Sequence, residues 1–141
     1  NEGFKAYNDR NGTWLHLASS HQYEELNSIC GLKGVDIDAQ DLDGNTPLHI
    51  ACHSGACRAV ESLIQIGAKT DQVNIKNELP VDIALRQGHA EVLKLFIKNS
   101  QVTFDFERKE TQSALKFVLN ESKKEARYSN IILVLVGNLT A

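Results

Sequence analysis

The chain has 141 residues, 42% of them apolar and 23% charged, which is the composition of an ordinary soluble globular protein. That fits a single domain and excludes disorder over most of the length. Fifteen basic against eighteen acidic residues leave a formal charge of −3, without the positive field that a phosphate backbone requires, so no nucleic-acid partner is expected.

No stretch approaches the ~20 apolar residues needed to cross a bilayer. The densest apolar run, Ile131 to Val136, is far shorter, so no membrane insertion is expected. No basic segment followed by an apolar one opens the sequence, so no signal peptide is visible, and the absence of Met raises the expectation of a piece of a longer protein. Cys30, Cys52 and Cys57 cannot all pair with one another, and a chain of this size builds a core without staples. An intracellular location, cytoplasmic or nuclear, is therefore expected. The tripeptides at Asn11, Asn120 and Asn138 fit the glycosylation pattern but arise readily by chance.

An internal repeat of about 33 residues organises the chain. With the segment from Asp41 to Ala51 as template, a backward shift superposes Thr13, Leu15, His16 and Ala18 on Thr46, Leu48, His49 and Ala51. A forward shift superposes Pro80, Val81, Ile83, Ala84 and Gly88 on Pro47, Leu48, Ile50, Ala51 and Gly55, and Leu93, Phe96 and Ile97 on Val60, Leu63 and Ile64. A weaker copy runs from near Ser113, through Leu115, Phe117 and Val118, to Ile132, Leu135, Val136 and Gly137. The expected organisation is one domain of four units, at approximately 9–40, 41–73, 74–106 and 107–137.

Within each unit apolar residues recur at i, i+3 and i+4 in two stretches, which predicts a short helix, a tight turn and a longer helix. In the first unit Gly34 stands where a left-handed helix cap belongs. In the second, Thr46 is the expected N-cap and Pro47 the first helical residue, with Gly55 between the helices and Gly67 after them. In the third, Asn99 and Ser100 occupy the place of that last glycine. In the fourth, Gly137 occupies it, and extra residues around Lys123 to Arg127 predict a solvated loop or an added helical turn. Val35 to Asn45 and Ala68 to Glu78 read as extended loops closed by β-turns, with Asp43-Gly44 the clearest turn signal.

These residues resemble the ankyrin repeat family. The second unit carries Asp43-Gly-Asn-Thr-Pro-Leu-His-Ile-Ala51, then Gly55, then Val60-x-x-Leu63-Ile64-x-x-Gly67-Ala68. The third keeps Pro80-Val-Asp-Ile-Ala84 and Gly88-His89 but has Leu79 for the motif threonine and Asp82 for the motif histidine. The first keeps Thr13 and His16, has Trp14 for the proline, and is one residue short between its helices. The resemblance implies an all-α solenoid of helix-turn-helix units with β-turn loops, turns and first helices facing a concave side that binds another protein. It implies no catalysis and no cofactor in the repeats themselves. Kinases, GTPase-activating proteins, ubiquitin ligases and bacterial effectors also carry such repeats, so the alternative is the targeting region of a larger enzyme or effector.

His49, Cys52, His53 and Cys57 form a cluster of zinc-ligand types. The repeat register argues against a metal site, since His49 is the motif histidine, Cys52 stands in a core position and the Gly55 turn separates Cys57 from both. A Cys/His hydrolase lacks a glycine-bounded nucleophile and an oxyanion-hole signature, and no phosphate-cradling loop is present.

The candidates for partner binding are the positions the repeat leaves free on the concave side. They are Asp9, Arg10, Ser20 and His21 in the first unit, Leu42, Asp43, Asn45, His53 and Ser54 in the second, and Ile75, Lys76, Glu78, Arg86 and Gln87 in the third. The fourth adds Lys109 and Glu110, with Gln112, Asn120 and Glu121 on the weaker alignment. Leu42 and Ile75 are apolar residues at neighbouring turn tips, suited to anchoring a partner, although single exposed aliphatics are common on any surface. The last helix, apolar on all sides at Ile131 to Val136, is expected to be covered by further repeats, another domain or a partner chain.

Overall fold

The structure, a computed structural model, describes residues 36–99 and 105–140. The expectations for Asp9, Arg10, Ser20, His21 and the rest of the first unit lie outside these. The described residues form three helical pairs and no strand. They are α1 (Pro47–Ser54) with α2 (Cys57–Gln65), α3 (Pro80–Gln87) with α4 (Ala90–Lys98), and α5 (Lys109–Glu121) with α6 (Ala126–Thr140). α1 packs on α3 and α3 on α5, while α2 packs on α4 and α4 on α6, so the pairs stack as two parallel rows of helices.

Local chemistry sets the helix starts. Thr46, in an extended conformation, caps α1, and Pro47 supplies the preset φ at a position whose N–H has no helical partner. Pro80 plays the same part in α3. Gly55 and Gly88 end the two helices at φ 71° and 73°, which lets the chain reverse into α2 and α4. The core between the rows is built from Leu48, Val60, Leu63, Leu85, Leu93 and Phe96, all essentially sealed from water. Cys52 lies among them as a small buried hydrophobe.

Two predicted helix ends differ. Asn99 does not take the left-handed conformation: it leaves α4 extended, at φ −84° and ψ 110°, with its N–H bonded to the Leu95 carbonyl. Gly137 does not stop α6, which continues to Thr140, since one glycine within a helix costs only about 1 kcal/mol against alanine. The extra residues of the fourth unit lengthen its helices and leave a short turn at 122–125. No helix among the described residues is long and apolar enough to cross a membrane.

Candidate functional site

The loops between pairs form projecting fingers. In the first finger the Asp41 carboxylate accepts the N–H groups of Asp43 and Asn45, and the Gly44 N–H closes the turn on the Asp41 carbonyl. The second finger repeats this with Asn74, whose Oδ1 accepts from Lys76 and Glu78 and whose Nδ2 reaches Asn45 Oδ1 at 3.0 Å. Gly44 sits at φ 74°, and its counterpart one period later, Asn77, takes φ 60°, a conformation that asparagine tolerates better than most residues. The fingers join edge to edge, the Ile75 N–H donating to the Asp43 carbonyl at 3.1 Å. Their tips project Leu42 and Ile75, 64% and 70% exposed.

Between these fingers and the inner helices α1 and α3 lies a groove of about 440 Å³. It brings together Asp43, Asn45, His53, Ile75, Lys76, Glu78, Arg86 and Gln87 from the sequence-derived set. Leu42 and Ser54 are exposed but outside its lining. His49, Ile50, Asn74 and Ile83 also line it. None of these four belongs to the sequence-derived set, although Ile50 and Ile83 occupy the same place one period apart.

One candidate is not the free position expected. Glu78 is buried: its carboxylate takes Asn74 Nδ2 at 3.2 Å and faces Arg86 Nη1 at 3.5 Å, and its carbonyl accepts from His49 Nε2 at 3.0 Å. Lys109 and Glu110 correspond by period to Lys76 and Asn77, yet they lie in the first turn of α5 and not at a finger tip. The Asn77 side chain, ahead of the Arg108 guanidinium, holds the Glu110 carboxyl below the usual carboxylate range.

His49 joins one unit to the next. A carbonyl only accepts, so Nε2 carries the proton toward Glu78 and Nδ1 accepts from the Thr46 hydroxyl, 2.8 Å away. Burial pushes its pKa down and keeps the ring neutral. In the third unit Asp82 stands there, wholly buried. Its carboxylate accepts from Leu79 N–H at 3.0 Å, Thr111 Oγ1 at 2.7 Å and Arg108 Nη1 at 2.9 Å. Arg108 also donates to the Asn77 carbonyl. Composition and spacing gave no sign of this pair, because Arg108 falls outside the repeat motif.

Among the described residues no three or more His, Cys, Asp or Glu side chains converge as a metal cage. Both ring nitrogens of His49 are engaged, and Cys52 is buried with its thiol pushed up by desolvation.

Stacked helical pairs joined by finger loops define a repeat solenoid. The family model for ankyrin repeats (three copies) matches residues 15–110, and the chain belongs to the ankyrin repeat family. It is 34% identical over 98 residues to the human SMC5-SMC6 complex localization factor protein 1, covering 68% of this chain and 9% of that protein. It is 43% identical over 58 residues to chicken NF-kappa-B inhibitor alpha, covering 41% of this chain and 18% of that protein. It is 34% identical over 73 residues to mouse protein phosphatase 1 regulatory subunit 12A, covering 52% and 7%. The chain spans about a tenth of the length of the localization factors it matches.

Proposed function

We propose that the chain is a protein-binding module that holds a partner protein in the groove between its fingers and inner helices, without chemistry of its own. Ankyrin repeats are a protein-interaction module, and the observation that carries the reading for this chain is the groove, which gathers eight sequence-derived positions, the exposed Ile75 tip among them, beside the exposed Leu42 tip. A solvated loop gains nothing by displaying Leu42 and Ile75, whereas a partner that covers them removes apolar surface from water. The groove's mixture of Asp43, Lys76, Arg86 and Glu78 suits orientation of a ligand more than steering by net charge.

The relatives' names, a localization factor and a phosphatase regulatory subunit, support a targeting role within a larger intracellular protein. The test is affinity capture with this chain beside a variant carrying Leu42→Arg and Ile75→Glu. Both tips are exposed, so the variant is expected to keep the parent's helical circular dichroism and lose the captured protein. Equal capture by both would remove the groove as the binding surface.

A further inference from the structure

We infer that the outer side of the stack carries a second docking site, a groove between α4 and α6 that takes an amphipathic helix of a partner protein bearing an acidic residue. This site is separate from the groove between the fingers and the inner helices. Its volume is about 680 Å³. Half-buried Ile97 and Val134 and exposed Leu133 line it, with Gly137 on the α6 side and Lys94 and Lys98 on the α4 side.

The register of α6 shows how the groove arises. The Tyr128 hydroxyl donates to the Arg86 carbonyl at 2.9 Å, as His89 Nε2 donates to the His53 carbonyl at 3.0 Å one pair earlier. Tyr128 thus stands where His89 stands, and Ile131 is sealed like Val92. Counting on, Leu133 takes the place of Lys94 in α4 and Glu61 in α2, and Gly137 the place of Lys98 and Gln65. These places are polar in both preceding pairs, whereas α6 has no charged residue after Arg127.

Leu133 is 68% exposed. The uncovered end of the stack does not account for this, because such an end exposes residues whose counterparts are covered: Phe117 at the place of Ala84, and Val136 at the place of half-buried Ile97. Leu133 has exposed, charged counterparts instead, so its place faces water in all three described pairs and is apolar only in the last. At Gly137 a Cβ would meet nothing within 4 Å, so a side chain has room there and glycine leaves the groove open.

Both walls are helices, whose backbone N–H and C=O groups are bonded within them. An extended segment laid here would bury backbone polar groups without partners. A helix satisfies its own and offers apolar side chains at i, i+3 or i+4, and i+7 to such a groove. The α4 lining runs from Ala90 to Lys98, about 12 Å at 1.5 Å per residue, which two to three helical turns cover. Lys94 is paired with Glu91 at 3.0 Å, while Lys98 has no ion-pair partner among the described residues and α6 supplies no acid opposite it. A carboxylate on the incoming helix meets that charge. A second copy presenting the same face supplies none, since Glu91 is held by Lys94, and a flat bilayer surface would leave the groove unfilled.

The probe is a library of peptides of about sixteen residues, held helical by a side-chain staple and selected on the unmodified chain. Selected peptides are expected to carry apolar residues at i, i+3 or i+4, and i+7, with Asp or Glu beside them. Leu133→Lys and Gly137→Lys place in α6 what α4 has at Lys94 and Lys98. Each is expected to weaken binding by about tenfold or more without lowering the melting temperature. Lys98→Glu is expected to weaken the acidic peptides, and exchanging the peptide's acid for Lys to recover them. The Leu42→Arg, Ile75→Glu variant is expected to bind these peptides like the parent. If Leu133→Lys and Gly137→Lys are folded and also bind like the parent, the outer groove is not the site. Loss in the Leu42→Arg, Ile75→Glu variant alone assigns the peptides to the inner groove and overturns the outer one while that reading survives. Selection of no peptide overturns it as well. So does sedimentation with phosphatidylserine vesicles that Lys98→Glu abolishes, which makes the ligand a membrane, or a dimer that Leu133→Lys dissociates, which makes it a second copy.

Discussion

Arg108 reaches back across the stack to Asp82, placing Nη1 2.9 Å from a carboxylate oxygen that has no contact with water. The pair ties the third unit to the fourth, and a lone buried carboxylate or guanidinium would cost far more than the pair itself yields. Arg108→Ala is expected to destabilise the chain by about 3 kcal/mol in urea unfolding, and Asp82→Ala by a similar amount. A loss below about 0.5 kcal/mol would show that the pair behaves as a solvated surface ion pair.

Burial lowers the pKa of His49, so the folded chain resists protonating it more than the unfolded chain does. Its contribution to stability is therefore fully present above the unfolded pKa of about 6.5 and is lost as pH falls through the lower folded value. The urea midpoint is expected to drop between neutral pH and about pH 5, and the drop to shrink in His49→Gln. NMR titration of the ring showing a pKa at or above the ordinary value would contradict this sign.

Gly44 and Gly67 both have positive φ but differ in their surroundings. A Cβ on Gly44 would lie 2.9 Å from the Ile75 backbone nitrogen, whereas one on Gly67 would meet nothing within 4 Å. Gly44→Ala is expected to destabilise by about 2–3 kcal/mol and Gly67→Ala by about 1 kcal/mol, the latter from backbone strain alone. Equal losses in thermal melts would mean the fingers separate freely at that joint.

Cys57 is half-buried and Cys52 sealed, and desolvation raises both thiols. Thiol reagents are expected to modify Cys57 slowly, faster as pH rises, and to reach Cys52 only on unfolding. Mass spectrometry after partial labelling reads the order directly, and Cys52 reacting first would contradict its burial.

The helices of the second and third units were legible because their period, their proline starts and Gly55 and Gly88 agree with one another. The groove was legible for the same reason, since register alone predicts which positions share a side. Helix ends with less specific signals were not: Asn99 ends α4 without a left-handed residue, and Gly137 lies inside α6. Glu78 stands at a position that the repeat register leaves free on the concave side, yet Asn74 and Arg86 satisfy its carboxylate under cover. The Asp82–Arg108 pair depends on two side chains far apart in sequence, and no local pattern announces it.

The two joints between units differ in what they ask of the neighbour. His49 donates to a main-chain carbonyl, which every residue type supplies, so that bond is indifferent to the side chain that follows it, and the one bond between side chains described across the same joint, Asn74 to Asn45, joins two uncharged amides. Asp82 takes its partners from the side chains of Thr111 and Arg108, so a unit lacking them would leave a naked buried carboxylate. In shuffling or duplication of these units, the second would tolerate many successors, whereas the third and fourth would have to travel together.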